Sequence, residues 1–477
     1  MNAAELFVEC LVAEGVTRIF GVPGEENAAF VLALGDSPIE LVLTRHEQGA
    51  AFMAEVYGRP SGEPGVCLAT LGPGATDLVT GVADANMDRA PLIAITGQAD
   101  SHRQHKESQQ YMNVVSMFEP VTKWATPIRN PEDIPEVVSK AFKLAVAEKP
   151  GACHIEQSEN IASMTVDSKP FDAQRPVQAV PADEVITHAW ECILEAESPV
   201  ILAGNGCVRR HTSVELRRLA KSTGIGVINT FMAKGAVDRR SNSSLFTIGL
   251  QARDYPALAI EDADLVIAIG YDIVEYPPKL WNPNKDKRIV HFDSLPAEVD
   301  EFYRTEVEVV GDLANALSRL NSLAQANPFH KEHAGQMALR ETMLKDFAEH
   351  SGDADESPIR PQKVLWEVRE ALGSEDILLS DVGAHKMWIA RYYQCDEPNT
   401  CLIPNGFAAM GFALPGAISA SIVHPDRKVL AITGDGGSDW RRHKCDGVGG
   451  RWLRADRVEA ADAIWAAHRS GVGESCI

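Results

Sequence analysis

"LVLTRHEQGAAFMAEVYGR", residues 41–59, passes from a run of apolar strand formers to a helical pattern with almost no connection. The strand reading covers Ile39 to Thr44, and the helix begins at once behind it. A strand feeding directly into a helix is half of a βαβ unit, and it puts Glu47 at the carboxyl end of a parallel strand. That edge is where open α/β sheets bind their ligands. A carboxylate that simply favours the positive end of its own helix explains Glu47 equally well.

Outward from this stretch the same alternation continues. "GVCLAT" (65–70) and "PLIAIT" (91–96) are strands with helical patterns between them. A Pro-rich polar segment, residues 167–184, reads as a linker. Beyond it "PVILAG" (199–204), "GVINT" (226–230), "DLVIAIG" (264–270) and "RIVHFD" (288–293) make a second α/β unit. A second polar linker, 349–362, leads to "DILLSDVG" (376–383) and "KVLAITGDGG" (428–437). The expectation is an α/β protein of three successive doubly wound parallel-sheet domains, at 1–166, 185–348 and 360–437, the third truncated, followed by an unmatched tail, 438–477.

The chain has 477 residues, enough for two or three cores, and a formal charge of -22. That charge argues against nucleic acid and anionic membranes as partners. The N-terminal stretch carries Glu5, Glu9 and Glu14 within a helical pattern, unlike a signal peptide. No apolar run is long enough to span a bilayer, and nine dispersed Cys without a C-x-x-C pair read as reduced thiols; the expected location is the cytoplasm.

Gly72-Pro73-Gly74 separates a strand from a helix, which a tight turn alone explains. "GDGG" (434–437) follows an apolar strand, the arrangement in which backbone amides and one carboxylate sit beside a phosphate or its metal. "AGNG" (203–206) also follows a strand but lacks the full dinucleotide-binding spacing.

In order and wording, "GVPGE" (21–25), "RHEQGAAFMAEVYGR" (45–59), "LGPGATDLVTGVADANMD" (71–88), "PLIAITGQ" (91–98), "DVGAHKMW" (381–388), "GFALPGAI" (411–418) and "GDGG" resemble the thiamine-diphosphate-dependent decarboxylases and carboligases, most closely the acetolactate synthases, over residues 1 to about 437. The resemblance implies pyrimidine-binding, central and diphosphate-binding domains, with thiamine diphosphate and Mg2+ as cofactors. It implies condensation of two pyruvates to 2-acetolactate and CO2 through a thiamine-bound enamine. Another thiamine-dependent decarboxylase or carboligase, or a non-catalytic remnant of such an enzyme, is the alternative. By the same resemblance Glu47 is a buried carboxyl that bonds the aminopyrimidine ring. Gln110 lies near the substrate, although an exposed polar loop residue is the plain reading, and Gly24 offers backbone to the thiazolium. Met410 matches the wedge that holds the cofactor bent, although core filling explains a Met among Gly and Ala as readily. His385 matches a position near the diphosphate; Ala384 stands where many relatives have Gln. Gly434, Asp435 and Gly436 belong to the diphosphate site, with Asp435 the first magnesium ligand. The words "IGYDIVEYPPKLWN" (269–282) resemble the catabolic subtype, so FAD is not expected. The family's active sites lie between chains, which implies a homodimer or homotetramer.

Composition changes at one point, between Gly437 and Ser438. The last 40 residues hold three of the eight Trp, no Asn, and seven basic against six acidic residues, giving +1 where the first 437 residues sum to -23. The strand that should supply a second metal ligand is missing from the tail, and "VEAADAIWAAH" (458–468) reads as helical, so Asp462, 27 residues after Asp435, is read as coincidence. A frameshift or erroneous join is the economical explanation, with an exposed sheet edge, instability and impaired activity expected from it.

Overall fold

The computed structural model describes residues 1–250, 254–331, 333–349, 351 and 359–434, together with the backbone of 451–454 and 462–468. In the first sheet β1 is Arg18–Gly21, β2 Glu40–Leu43, β3 Gly65–Ala69, β4 Leu92–Gln98, β5 Trp124–Pro127 and β6 Ala152–Ser158. They are arranged β2-β1-β3-β4-β6-β5, all parallel. Its central strands β3, β4 and β6 are buried on both faces because their side chains alternate between two cores. Val66 and Leu68 pack with the helices Ala3–Ala13, Ala28–Gly35 and Ile134–Val146, while Cys67 and Ala69 face the helices Glu47–Ser61 and Pro73–Met87.

The second sheet has β7 Pro199–Ala203, β8 Gly226–Asn229, β9 Ser244–Thr247, β10 Leu265–Ile269, β11 Arg288–Asp293 and β12 Val307–Val310. The order is β12-β11-β10-β7-β8-β9, again parallel. The third parallel sheet is smaller: β13 Ile377–Ser380, β14 Cys401–Leu402 and β15 Val429–Gly434, ordered β14-β13-β15. Helices lie on both faces of this sheet too. The protein is therefore an α/β chain of three successive doubly wound parallel sheets with a reduced third sheet.

β15 does not end the sheet. β16, Arg451–Arg454, and β17, Asp462–His468, continue it antiparallel, with Gly434 opposite Asp462 and Val429 opposite Ala467. This corrects two expectations, the helical reading where it covers 462–468 and the exposed edge at β15; 458–461 lie outside the described residues. A bare row of strand N–H and C=O groups recruits any extended segment that can reach it, and that pairing overrides a modest helical preference.

Between the first two units, residues 166–182 have no helix or strand. Arg175 nonetheless straps this segment to the first unit by pairing with Glu14 (3.0 Å) and Glu63 (2.9 Å). Most of the second linker lies outside the described residues.

Glycines allow the closest approaches. A Cβ on Gly65 would lie 1.9 Å from the Ala54 carbonyl, and one on Gly81 would meet the Ala51 Cβ at 2.5 Å. A Gly65→Ala variant should lose more than about 2 kcal/mol of unfolding free energy in urea, since overpacking against rigid backbone costs about 1–3 kcal/mol. Gly35→Ala, at an exposed helix end with nothing within 4 Å, should be neutral or gain about 0.5 kcal/mol.

Candidate active site

Doubly wound sheets open a crevice where the strand order reverses. In the first sheet that point lies between β1 and β3. The turn after β3, Thr70 to Gly74, is the meeting place of all three N-terminal candidates. A Cβ on Gly24 would press on the Thr70 side chain at 2.5 Å; one on Gly74 would lie 3.2 Å from Glu47 Oε1; one on Gly72 would lie 2.7 Å from the Gln110 carbonyl. The turn needs these glycines for room, and Gly72 also for its φ of +53°. Asn27 fixes the approach of Gly24 by accepting its amide proton at 2.8 Å, and Thr70 Oγ1 donates to Glu26 at 2.9 Å.

Glu47 is the first residue of its helix, behind the N-cap His46, whose Nδ1 accepts from the Gln48 amide. His46 Nε2 sits 3.2 Å from Asp77 on the neighbouring helix. Within the single chain Glu47 is half-buried, because a helix N-terminus at a crevice mouth is enclosed only from the sheet side. Gln110 is exposed and held at φ +60°, a backbone conformation that costs a non-glycine residue roughly 1–3 kcal/mol and is found most often at functional sites.

The second set gathers at the other small crevice, between β13 and β15. Asp381, at the end of β13, donates its amide to the Ile432 carbonyl on β15 (2.8 Å). Its Oδ1 accepts from the Val382 amide (2.8 Å) and from the Gly411 amide (2.7 Å). His385 lies in the first turn of the helix Ala384–Tyr392 and is buried; Gly434 ends β15. Met410 is 48% exposed, so core filling does not account for it. Asp435 and Gly436 lie outside the described residues.

Within one chain the two sets occupy different ends of the same helices. Ala409 donates to Asp84 (3.1 Å), ten residues along the helix Pro73–Met87 from Gly74, or about 15 Å of axial rise. Sequence reasoning did not single out Thr70, Asn27 or Asp381. Thr70 and Asp381 close apolar strand words, a position that could have marked them.

The crevice of the second sheet, between β7 and β10, is closed. A Cβ on Gly204 or Gly206 would meet Gly270 or Tyr271 backbone at 2.4–2.5 Å, so the "AGNG" glycines serve backbone packing. Buried Glu275 accepts from the Asn205 amide (3.0 Å), the Asp272 amide (3.1 Å) and Thr230 Oγ1 (2.5 Å). Burial first, then the Asp272 charge, pushes its carboxyl up to about 7.

Glycines border the switch-point crevices of the first and third sheets, with Glu47 at one and the buried His385 near the other. The chain matches the thiamine pyrophosphate enzyme N-terminal TPP binding domain over residues 1–117, the central domain over 186–320 and the C-terminal TPP binding domain over 381–438. It belongs to the thiamine pyrophosphate enzyme family. Among its relatives, the acetolactate synthase of Bacillus subtilis is 35% identical over 446 residues, 91% of this chain and 77% of that protein. A probable acetolactate synthase large subunit of Methanocaldococcus jannaschii is 35% identical over 92% of this chain and 76% of its own length. The catabolic acetolactate synthase of Raoultella terrigena is 32% identical over 91% and 78%. No described helix is long and apolar enough to cross a membrane.

The packing of Gly72 against Gln110 makes a local prediction. Gly72→Ala should raise amide exchange across residues 104–112 at least tenfold while leaving the core amides of β3 and β4 unchanged.

Proposed function

We propose that this chain is an acetolactate synthase-like carboligase that takes two pyruvates to 2-acetolactate and CO2. The observation that carries the reading is the convergence of Gly24, Glu47 and Gln110 on one glycine turn at a sheet switch point. The donor set fits thiamine diphosphate. Gly74 leaves the Glu47 carboxylate room at the turn, where an added Cβ would lie 3.2 Å from Oε1. Glu47 would hold a proton against a nitrogen of the pyrimidine ring. Gly24 would present backbone to the second ring, and Gln110 would orient pyruvate. When bound, thiamine diphosphate supplies the carbanion equivalent that an amino-acid side chain cannot. His385 and Gly434 would meet the diphosphate, with Asp435 binding Mg2+ and Met410 wedging the cofactor.

About 15 Å of helix separates the Gly74 end from the Asp84–Ala409 contact. That spacing, and the exposure of Met410, support an active site completed by a second chain, hence a homodimer or higher oligomer. FAD is left out of this reading. The Asn205 and Asp272 amides, the groups a diphosphate would seek at the second crevice, already donate to Glu275. A purified sample should show no flavin absorbance, and a stoichiometric flavin spectrum would overturn that choice. A cytoplasmic location fits the acidic composition and buried thiols among the described residues.

A second reading, an impaired or non-catalytic chain, is favoured by one observation: the family match ends at residue 438, where the composition changes. It makes a separate prediction. Mg2+ demands near-octahedral coordination, and a ligand that binds only the native state raises stability with its concentration. With Asp435 alone, added Mg2+ and thiamine diphosphate should barely shift the melting temperature, and pyruvate consumption should be negligible. A shift of several degrees with turnover would reject the impaired reading. It would make Asp462, opposite Gly434 in register, the first residue to replace. In a chain with the family's full C-terminus, Glu47→Gln should cut acetolactate formation at least a hundredfold with cofactor affinity within tenfold. Near-normal turnover would remove Glu47 from its role.

A further inference from the structure

Three carboxylates, Glu55, Asp84 and Asp88, lie together with no solvent exposure, each offering an oxygen within 4.8 Å of the others. Glu55 belongs to the helix Glu47–Ser61, the other two to the end of the helix Pro73–Met87 and its C-cap. Across from them runs the loop 405–411 of the third unit. Asp88 accepts from the Asn405 amide (3.2 Å) and the Gly406 amide (2.7 Å), and Asp84 Oδ1 accepts from the Ala409 amide (3.1 Å). The cations facing the cluster are Arg59, which donates to Asp88 (3.2 Å), and Lys386, whose amine donates to the Pro404 carbonyl (2.9 Å). Both Glu55 oxygens and Asp84 Oδ2 are buried without an acceptable donor if all three groups are ionised.

We propose that Glu55 is a protonated, neutral acid donating to Asp84, and that this shared proton makes Glu55, Asp84 and Asp88 positioning residues for the loop carrying Met410. The assignment rests on the cofactor reading above for the loop's purpose, though not for the proton. One proton links two of the three orphaned oxygens, Glu55 O–H donating to Asp84, while Asp84 accepts from the Ala409 amide and Asp88 from Arg59 and two more amides. Without it, three like charges share a dry space with one directly paired cation, an arrangement that disfavours ionisation of at least one. Burial first, then Asp84 and Asp88, hold the Glu55 carboxyl well above the ordinary glutamate range. A carboxyl raised on folding contributes stability that is fully present below its unfolded value and is lost as pH rises through the folded one. The loop should therefore loosen toward alkaline pH.

Amide exchange on the full chain without cofactor tests this. Protection of the Gly406 and Ala409 amides, corrected for intrinsic base catalysis against core amides of β10, should fall at least tenfold as pH rises from 6 to 9. Glu55→Gln, which keeps a neutral donor at any pH, should hold that protection flat, whereas Glu55→Ala should lose it even at pH 6. A flat profile in the unaltered chain, or the same alkaline loss in Glu55→Gln, would overturn the proposal. So would one equivalent of tightly held divalent cation found by native mass spectrometry and missing from Glu55→Gln. Thiamine diphosphate binding, measured separately, reports on the cofactor reading alone.

Discussion

The helix Glu47–Ser61 is buried on two sides, and the rest of the architecture is arranged around that fact. Ala50, Ala51, Met53 and Ala54 pack against the first sheet, while Phe52 and Val56 belong to the core of the third. Phe52 meets Phe412 edge to face at 5.7 Å, and a Cβ on Gly416 would collide with Val56 at 2.8 Å. One helix thus serves two cores, so the orientation of Glu47 at its N-terminus is fixed by packing on both flanks. A helix apolar all round is an interior element; this one also has to place a carboxyl, Glu55, in that interior.

Asp88 extends the same lock to the second unit. Its carboxylate takes Arg59 and two amides of the third unit, and its carbonyl accepts from Asn205 Nδ2 of the second at 3.0 Å. Asn405 Nδ2 in turn donates to the Glu275 carbonyl at 3.0 Å, so all three units meet within a few residues. Removing one partner of a buried pair costs about 3–5 kcal/mol, chiefly through the charge left behind. A junction built this way resists hinge motion between sheets, which suits a site assembled from elements of different units.

Much of this was legible in the residues, and what was not has physical causes. The apolar strand words became β2, β3, β4, β7, β8, β10, β11, β13 and β15 within a residue or two at most ends. β1, "RIFG", was hidden because it is four residues long and opens on Arg18, and the turn that separates it from the preceding helix is marked by Gly15 alone. β6, "ACHIEQS", was hidden because a fully buried strand carries His, Glu and Gln. Those polar groups are tolerable there because His154 bonds Thr96 and Glu156 bonds Gln98 on the adjacent strand, and partners from another strand cannot be read along one. The glycine motifs identified the turns, but only the fold reveals that Gly72 faces Gln110 and Gly24 faces Thr70. The segment 462–468 misled because its pairing is decided by an open strand edge elsewhere in the chain.

The carboxyl cluster was the least legible feature, for a related reason. Glu55, Asp84 and Asp88 sit on helices or at a helix cap, where isolated acidic residues normally face water; Asp84 and Asp88 share a face at i, i+4, but nothing in the sequence brings Glu55 to them. Their proximity comes from the small residues that let the two helices touch, Gly81 against Ala51 above all. The close helix contact therefore has two consequences at once. It seals the carboxyls from water, which makes a shared proton cheaper than three charges, and it aligns them beneath the loop 405–411. A larger residue at position 81 would separate the helices and admit solvent, and the acids would then ionise independently. The geometry of the Met410 loop is, in this sense, set by the absence of a side chain within one turn of the nearest cluster residue, Asp84, rather than by the loop's own sequence.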